Sequence, residues 1–369
     1  MDNLDTDIPE YLVALSLNLT VINNVRAIQS NKDKIGYFFG WPKNRVLNWL
    51  FPIRKIVRIE LEKRLKLDNN AIHHFEYLSL ASATLELKGL FIYSNHDLVS
   101  DRYLKIESER SSLLKRKNLV LRFYKYLQLR RSEKWIARFQ KLILTISTDD
   151  AYLYRKRIRN GVFRTLPLSW PDERFTNKSK NFVSKNKLKI LHLGSLNSMI
   201  PYSSLKFILS DLFTILPNEI FNSIELLIAG NNPDAPYSNE IKSLSNAYNN
   251  VQILGYVNNL KPLFASCDIQ IVASQFSSGI RTRIIESFVR GLPVVSTNIA
   301  AKGLYGLEHR KNILLADNSS DIVSIFYNIL SGKENLGVIA KNARTLYENK
   351  YSRKVQTSIL KDHIKKHIH

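Results

Sequence analysis

The stretch that decides the fold spans residues 277–304 and reads SSGIRTRIIESFVRGLPVVSTNIAAKGL. It predicts a small-residue loop, a short helix that ends at Gly291, and an apolar strand over 294–297. A loop that leads into a helix N-terminus is a ready anion site, because the N–H groups of the first turn lack helical partners. Arg281 and Arg283 fall in that turn, where the helix dipole disfavours cations. A bound, multiply charged anion would explain them; the alternative is that both side chains reach into solvent.

The alternation of strand and helix continues on both sides of this stretch. Apolar runs predict six strands, at 188–193, 224–229, 251–254, 269–273, 294–297 and 313–315. Helical patterns lie between most of them, at 203–216, 237–248, 260–266 and 282–290. Such alternation indicates a parallel sheet covered on both faces. Because Gly194, Gly230 and Gly255 each follow a strand, we predict that this end of the sheet is its ligand edge.

The N-terminal half has fewer sequence patterns that predict strands or a site. Residues 90–93 predict a buried strand with a polar tip at His96 and Asp97, where open α/β sheets present their ligands. Residues 141–147 predict another strand, and Ser147 is predicted to cap the helix that follows it. Residues 71–83 hold two adjacent histidines and a glutamate, whose spacing does not favour a metal site.

The net charge of +22 implies an anionic partner: a phosphorylated ligand, an acidic membrane surface or nucleic acid. Residues 102–164 hold 18 Lys or Arg against 5 Asp or Glu, and most of this segment is predicted to be one or two long helices. Basic amphipathic helices can lie on an anionic membrane; the alternative is a solvated helical face. A single cysteine, Cys267, fits a reducing compartment. With no apolar run long enough to span a bilayer, we expect a cytoplasmic protein, at most peripheral on the inner face of the plasma membrane.

Several segments together carry a resemblance to a known family. In the C-terminal half they are GYVNNLKPLFASCDIQIVAS (255–274), the stretch 277–304 and NILLADNSSDIVSIFYNIL (312–330). In the N-terminal half they are YSNHDLVSDRY (93–103) and LILTISTDDAYLY (142–154). In this order the segments resemble retaining glycosyltransferases of family 4, also called glycosyltransferase group 1.

The resemblance implies an α/β protein with the GT-B fold, in which two Rossmann-like domains face each other across a cleft. The expected organisation is an acceptor-side domain at 1–168, a linker at 169–187, a nucleotide-sugar domain at 188–348, and a C-terminal helix at 349–369 that packs back on the first domain. The acceptor-side domain looks shortened, because the family's glycine-rich first loop has no clear counterpart.

The resemblance also implies a site. Glu286 matches the second glutamate of the family's E-x7-E motif, which contacts the ribose, while Ser278 stands where the first glutamate is expected. The alternative for Glu286 is an ion pair with Arg283 or Arg290. His96 and Arg283 are the implied catalytic residues, although His96 could also be a turn residue. The implied donor-binding residues are Gly230, Tyr256, Val257, Gly279, Ile280, Arg281, Arg283 and Glu286.

The implied activity is that of a metal-independent, hexosyltransferase-like enzyme that retains anomeric configuration. It would move a sugar from a nucleoside diphosphate sugar to a saccharide or lipid-linked glycan, in the biosynthesis of cell-surface polysaccharides or glycans. We expect no cofactor or metal, no nucleic-acid partner, and contact with an anionic membrane through 102–164. The alternatives are a non-catalytic homologue and a basic nucleic-acid-binding protein.

Overall fold

A computed structural model describes residues 43–114, 119–158, 161–173, 187–196, 199–230, 237–275 and 279–368. Its contacts divide the chain into two compact units. The first unit comprises Met1–Pro167 and Gln356–His369, and the second comprises Leu168–Val355. Each unit contains a wholly parallel β-sheet with helices, so the prediction of an α/β protein is confirmed. The predicted absence of the family's glycine-rich first loop concerns residues outside the described part of the chain.

The sheet of the first unit has four strands in the order β1-β2-β3-β4. The strands are β1 Ile72–Glu76, β2 Leu90–Asn95, β3 Leu142–Thr145 and β4 Phe163–Thr165. The helices are α1 Lys43–Leu50, α2 Arg54–Leu67, α3 Leu78–Ala81, α4 Val99–Leu114, α5 Leu119–Ala137, α6 Thr148–Arg157 and, at the C-terminus, α15 Arg353–His367, which crosses the unit boundary. Ser147 caps α6 as predicted, because its side chain accepts a hydrogen bond from the Asp150 N–H at 3.0 Å.

The C-terminal helix helps to cover the sheet of the first unit. Leu360 of α15 is buried in one cluster with Ile92, Leu142 and Leu144 of strands β2 and β3. Burial of large aliphatic side chains of this kind contributes roughly 1.5–3 kcal/mol each. The last residues of the chain are therefore part of the core of its first unit.

The sheet of the second unit has six strands in the order β10-β9-β8-β5-β6-β7. The strands are β5 Leu188–Leu193, β6 Ile224–Ala229, β7 Val251–Gly255, β8 Ile269–Val272, β9 Val294–Thr297 and β10 Leu314–Ala316. The helices are α7 Met199–Phe207, α8 Asn218–Asn222, α9 Ser238–Ser245, α10 Leu260–Ser266, α11 Thr282–Val289, α12 Asn298–Ala301, α13 Ser319–Leu330 and α14 Leu336–Lys350.

This strand order has a switch point at its centre. From β5 the chain adds β6 and β7 on one side, and then returns to add β8, β9 and β10 on the other side. The connections that follow β5 and β8 therefore diverge, and open α/β sheets bind ligands in the crevice between such connections. The loop after β8 leads into α11, which is the helix of the opening stretch.

The predicted helix at 203–216 is wrong at its start and in its second half. The helix begins at Met199, so Pro201 lies in its first turn, where proline is tolerated because that N–H has no helical acceptor. After Phe207 the chain winds as a π-helical turn and then a 3₁₀ turn, which end at Ile215.

The first part of the predicted linker packs within the second unit. The Tyr347 hydroxyl donates to the Trp170 carbonyl at 2.9 Å, and Arg344 pairs with Asp172 at 2.7 Å. Residues 174–186 of that linker lie outside the described residues. None of the described helices is both long and apolar enough to cross a membrane.

Candidate functional site

The switch point of the second sheet brings Gly194 and Arg283 together. Gly194 follows β5 directly, and Arg283 is the second residue of α11. A Cβ atom at Gly194 would lie 2.5 Å from Cβ of Pro201 and 3.3 Å from the guanidinium carbon of Arg283. Only glycine fits this close approach, which leaves the backbone after β5 bare and next to a cation.

Arg283 is a partly buried cation. Burial lowers the pKa of its guanidinium, although the nearby Glu286 carboxylate acts in the opposite direction. No residue in the described part of the chain forms a hydrogen bond or an ion pair with Arg283. Holding a charge partly away from water without a hydrogen bond or a direct ion pair is unfavourable. An anion supplied from outside the protein would remove that penalty, so the switch point is a candidate anion site.

His192, near the end of β5, is the closest titratable neighbour of this cation on the strand. It is 2% exposed, and its Nε2 lies 3.3 Å from the hydroxyl of Ser204. Burial, and secondly the charge of Arg283, lower the pKa of its imidazole to about 3. The ring is therefore neutral at physiological pH, and Arg283 carries the positive charge at this point.

The low pKa of His192 predicts a pH dependence of stability. The pKa falls from an ordinary 6.5 to about 3 on folding, so between these values the unfolded chain binds a proton that the folded ring does not. The proton uptake of His192 should therefore lower the free energy of unfolding by about 1.4 kcal/mol for each pH unit between 6.5 and about 3. His192→Gln should flatten this slope in urea denaturation curves recorded from neutral to acidic pH. An unchanged slope would contradict the assignment.

The three glycines of the predicted ligand edge lie side by side. Gly230 follows β6 with φ of +87°, and its N–H donates to the Gly255 carbonyl at 2.8 Å. A Cβ atom at Gly230 would lie 3.3 Å from the backbone nitrogen of Gly194. Beyond Gly255, Tyr256 is 77% exposed, and Val257 packs against the apolar cluster that contains Phe264.

The loop before α11 is only partly described. Gly279 has φ of +70°, Ile280 is partly buried, and Arg281 is the N-cap residue with a side chain that is 7% exposed. Ser277 and Ser278 lie outside the described residues. The anion-binding role of this loop therefore stays a prediction, with Arg283 as its best-placed side chain.

Glu286 lies one turn further along α11 and forms an ion pair with Arg290, which is one of the two ion pairs predicted as the alternative to a ribose contact. Its Oε1 is 2.6 Å from Arg290, which also pairs with Glu173 at 2.5 Å and stacks 4.7 Å from the ring centre of Phe264. The ribose contact stays a prediction.

In the first unit, His96 lies just beyond the carboxyl end of β2. Its Nε2 is 2.6 Å from Oε2 of Glu76, and its ring stacks on that of Tyr77 with centroids 4.5 Å apart. Asp97 pairs with Arg102 at 3.1 Å, in agreement with a local role for this carboxylate. His96 is thus held by a carboxylate and an aromatic ring that the sequence reasoning did not connect to it.

The sequence carried a signal for this contact. His74 and Glu76 are two residues apart on β1, so their side chains share one face of the sheet, as do Ser94 and His96 beside them. The adjacent residues His73 and His74, by contrast, point to opposite faces of the strand. Across the described ranges, no three His, Cys, Asp or Glu side chains converge as metal ligands.

Comparison with known proteins places the second unit in a family. The family described as "Glycosyl transferases group 1" matches residues 187–331, which contain the whole of the switch-point site described above. The second unit contains a group 1 glycosyltransferase domain. A comparison with curated proteins finds no match.

Solved structures show the fold. HepE from Anabaena, in complex with UDP-glucose, matches with a TM-score of 0.63 at 16% identity, over 87% of this chain and 84% of that one. Sucrose-phosphate synthase from Thermosynechococcus elongatus matches with a TM-score of 0.66 at 16% identity, over 88% and 79%. A glycosyltransferase from Rickettsia africae matches with a TM-score of 0.62 at 15% identity, over 85% and 81%. The chain therefore has the GT-B fold, as predicted.

Proposed function

We propose that this group 1 glycosyltransferase transfers a hexose from a nucleoside diphosphate sugar to a saccharide or lipid-linked glycan acceptor, with retention of anomeric configuration. The observation that carries the proposal is Arg283, a partly buried cation without a partner among the described residues, at the switch point beside Gly194. Glycosyl transfer forms a bond from the anomeric carbon of the sugar to the acceptor oxygen and breaks its bond to the diphosphate, whose negative charge grows as the nucleoside diphosphate leaves. A preorganised cation stabilises that charge where it develops.

The geometry suits a diphosphate. The backbone after β5 is open at Gly194, the N-terminus of α11 supplies unpaired N–H groups, and Arg283 supplies a guanidinium that binds phosphate oxygens in pairs. Arg281, Gly279 and Ile280 complete this loop. Since the loop and its two arginines supply the positive charge, the transfer we propose uses no metal ion.

The remaining residues have proposed roles on the rest of the substrates. Gly230, Tyr256 and Val257 would border the nucleoside, and Glu286 would accept a hydrogen bond from a ribose hydroxyl. His96 would contact the donor sugar and help to orient the reacting groups. The structure of HepE with UDP-glucose makes that compound the first donor to test.

Donor binding tests the proposal directly. Thermal denaturation of the protein is measured with UDP-glucose, GDP-mannose and ADP-glucose in turn, because a ligand at 100 times its Kd stabilises the fold by about 2.7 kcal/mol. We expect one donor class to raise the Tm and to be slowly consumed, with release of the matching nucleoside diphosphate. Stabilisation without any turnover would favour a non-catalytic homologue, and no stabilisation by any donor would overturn the proposal.

We further propose that the protein works in the cytoplasm, on the inner face of the plasma membrane. Helix α5 exposes a stripe with helical spacing that contains Val120, Phe123, Arg130 and Lys134. Val120 is 81% and Phe123 57% exposed, although large apolar side chains usually avoid water. Cations on the same face as exposed apolar side chains match the charge and the interface of an anionic bilayer.

Exchanging the two apolar residues of this stripe should release the protein from vesicles. Val120→Ser with Phe123→Ser is expected to reduce co-sedimentation with phosphatidylglycerol-containing vesicles several-fold, because both side chains lose their burial in the interface. Leu67→Ser is the matched control, since Leu67 is 84% exposed on a different helix of the same unit. Equal binding of the double variant and the wild type would contradict the membrane role.

A further inference from the structure

The carboxyl ends of β1 and β2 form a polar cluster around Glu76. The two strands are parallel neighbours, and Glu76 pairs in register with Ser94. Glu76 Oε2 lies 2.6 Å from Nε2 of His96, and its Oε1 lies 3.5 Å from Nε2 of His74. The same nitrogen of His74 is 2.6 Å from the hydroxyl of Ser94. Glu76 is therefore the centre of the cluster, with an imidazole on each side.

The contact with Glu76 decides which nitrogen of His96 carries a proton. An ionised carboxylate can only accept hydrogen bonds, so Nε2 of His96 must be the donor. Burial alone would raise the pKa of Glu76, but the hydrogen bond from His96 and the neighbouring histidines outweigh it and leave that pKa below its ordinary value. Glu76 is therefore ionised at neutral pH. In the neutral ring of His96, Nδ1 is left as the acceptor.

The other side of the cluster restrains the ring itself. Tyr77 stacks on His96 with an angle of 22° between the ring planes, and its own side chain is 56% exposed. Its backbone has φ of +69°, a conformation that side chains larger than hydrogen rarely adopt. Strained residues of this kind persist where the surroundings fix them, and they concentrate at functional sites. His96 is thus fixed at its edge by Glu76 and on its face by Tyr77.

We propose that Glu76 is a positioning residue for His96: it holds the proton on Nε2 and turns Nδ1 outward to accept a hydrogen bond from a sugar hydroxyl. This inference rests on the proposed function, because it assumes that His96 meets a sugar substrate. Glu76 itself touches no reacting atom. Its removal leaves His96 present but free to rotate and to exchange its proton between the two nitrogens, which misplaces the acceptor.

The hydrogen bond is tested without any substrate. An imidazole N–H held by a carboxylate at short distance gives a downfield proton signal in NMR spectra, and the signal of His96 is the one that His96→Gln removes. We expect Glu76→Leu to remove the same signal. If the signal persists in Glu76→Leu, the proposal is overturned. If the leucine variant does not fold, Glu76→Met is measured in its place, because methionine has a similar volume and lacks the carboxylate oxygens that accept the hydrogen bond.

The functional part is tested with UDP-glucose hydrolysis in the absence of acceptor, or with whichever donor proves active. Glu76→Leu should lower kcat about tenfold or more with little change in the donor KM, since orientation and not binding is lost. The double variant with His96→Gln should be no slower than His96→Gln alone, because the two residues act as one unit. Glu62→Leu is the control, since Glu62 forms a surface ion pair with Arg58 elsewhere in the same unit. Additive losses in the double variant would overturn the positioning role.

The two failures remain distinguishable. A wild-type protein that neither binds nor consumes a donor defeats the proposed function, while the NMR signal still decides whether Glu76 holds His96. A fully active Glu76→Leu variant defeats the inference and leaves the proposed function intact.

Discussion

Arg283→Ala is expected to reduce the turnover of the nucleoside diphosphate sugar by about 10²–10³-fold, the usual loss when one preorganised donor to a developing negative charge is removed. The guanidinium lies against the backbone of Gly194 at the switch point, and burial keeps its pKa below the ordinary value. A charge that water screens so little acts strongly on a diphosphate. Steady-state release of the nucleoside diphosphate measures the effect.

The same variant should not weaken the unliganded fold. Removing a partly buried cation that has no hydrogen bond or ion pair among the described residues relieves a desolvation penalty, so the Tm without ligand should stay the same or rise. The increase in Tm on adding UDP should be lost. Arg310→Ala is the matched control, because Arg310 is 57% exposed and pairs with Glu334 in the same unit. Near-normal turnover by Arg283→Ala would show that Arg283 does not stabilise the leaving diphosphate.

Gly194→Ala is expected to destabilise the second unit by about 1–3 kcal/mol, the usual range for adding a methyl group to a packed position. The added Cβ would lie 2.5 Å from Cβ of Pro201, which belongs to a rigid ring in the first turn of α7. Neither atom can rotate away, so strand and helix must separate. Urea denaturation should show a lower midpoint with an unchanged m-value.

Gly194→Ala should also lower the affinity for UDP, because the new methyl group would lie 3.3 Å from the guanidinium carbon of Arg283. Gly332→Ala separates crowding from backbone strain, since Gly332 has φ of +74° and open space where its Cβ would lie. That control should lose about 1 kcal/mol and keep its affinity for UDP. If Gly194→Ala bound UDP as tightly as the wild type, the close approach at the switch point would have no role in binding.

The second unit could be predicted well because its strands are buried on both faces. Strands β8 and β9 are buried along their whole length, and each is rich in β-branched apolar residues, as the sequences IQIV and VVST show. The edge strand β7 alternates between partly buried and exposed residues, and it too was predicted to within one residue. Apolar segments predict where strands lie, but they do not predict the register or the order of the strands in the sheet. The switch point is therefore visible only in the structure.

Contacts between distant residues were the part that the sequence could not supply. The ion pair of Glu286 with Arg290 follows from helical spacing, but Arg290 also binds Glu173, which lies 117 positions away in the chain. Likewise the low pKa of His192 depends first on its burial and secondly on the charge of Arg283, and both result from the packing of β5. The contact of Glu76 with His96 requires the pairing of β1 with β2, although its two-residue spacing was visible.

The order of the strands has a kinetic consequence. Strand β5 meets β6 after one helical connection, but it meets β8 only after the chain has passed through β6 and β7. At that second junction the Asp268 carboxylate accepts a hydrogen bond from the Lys189 N–H, 79 positions away in the chain. Pairings over such distances close slowly, because the entropy of a long loop is lost before the contacts form. The candidate anion site lies on that junction, with Gly194 on one side and Arg283 on the other. During refolding, UDP binding should therefore recover later than the circular dichroism signal of the helices. The time at which UDP binding recovers would report when β5 pairs with β8.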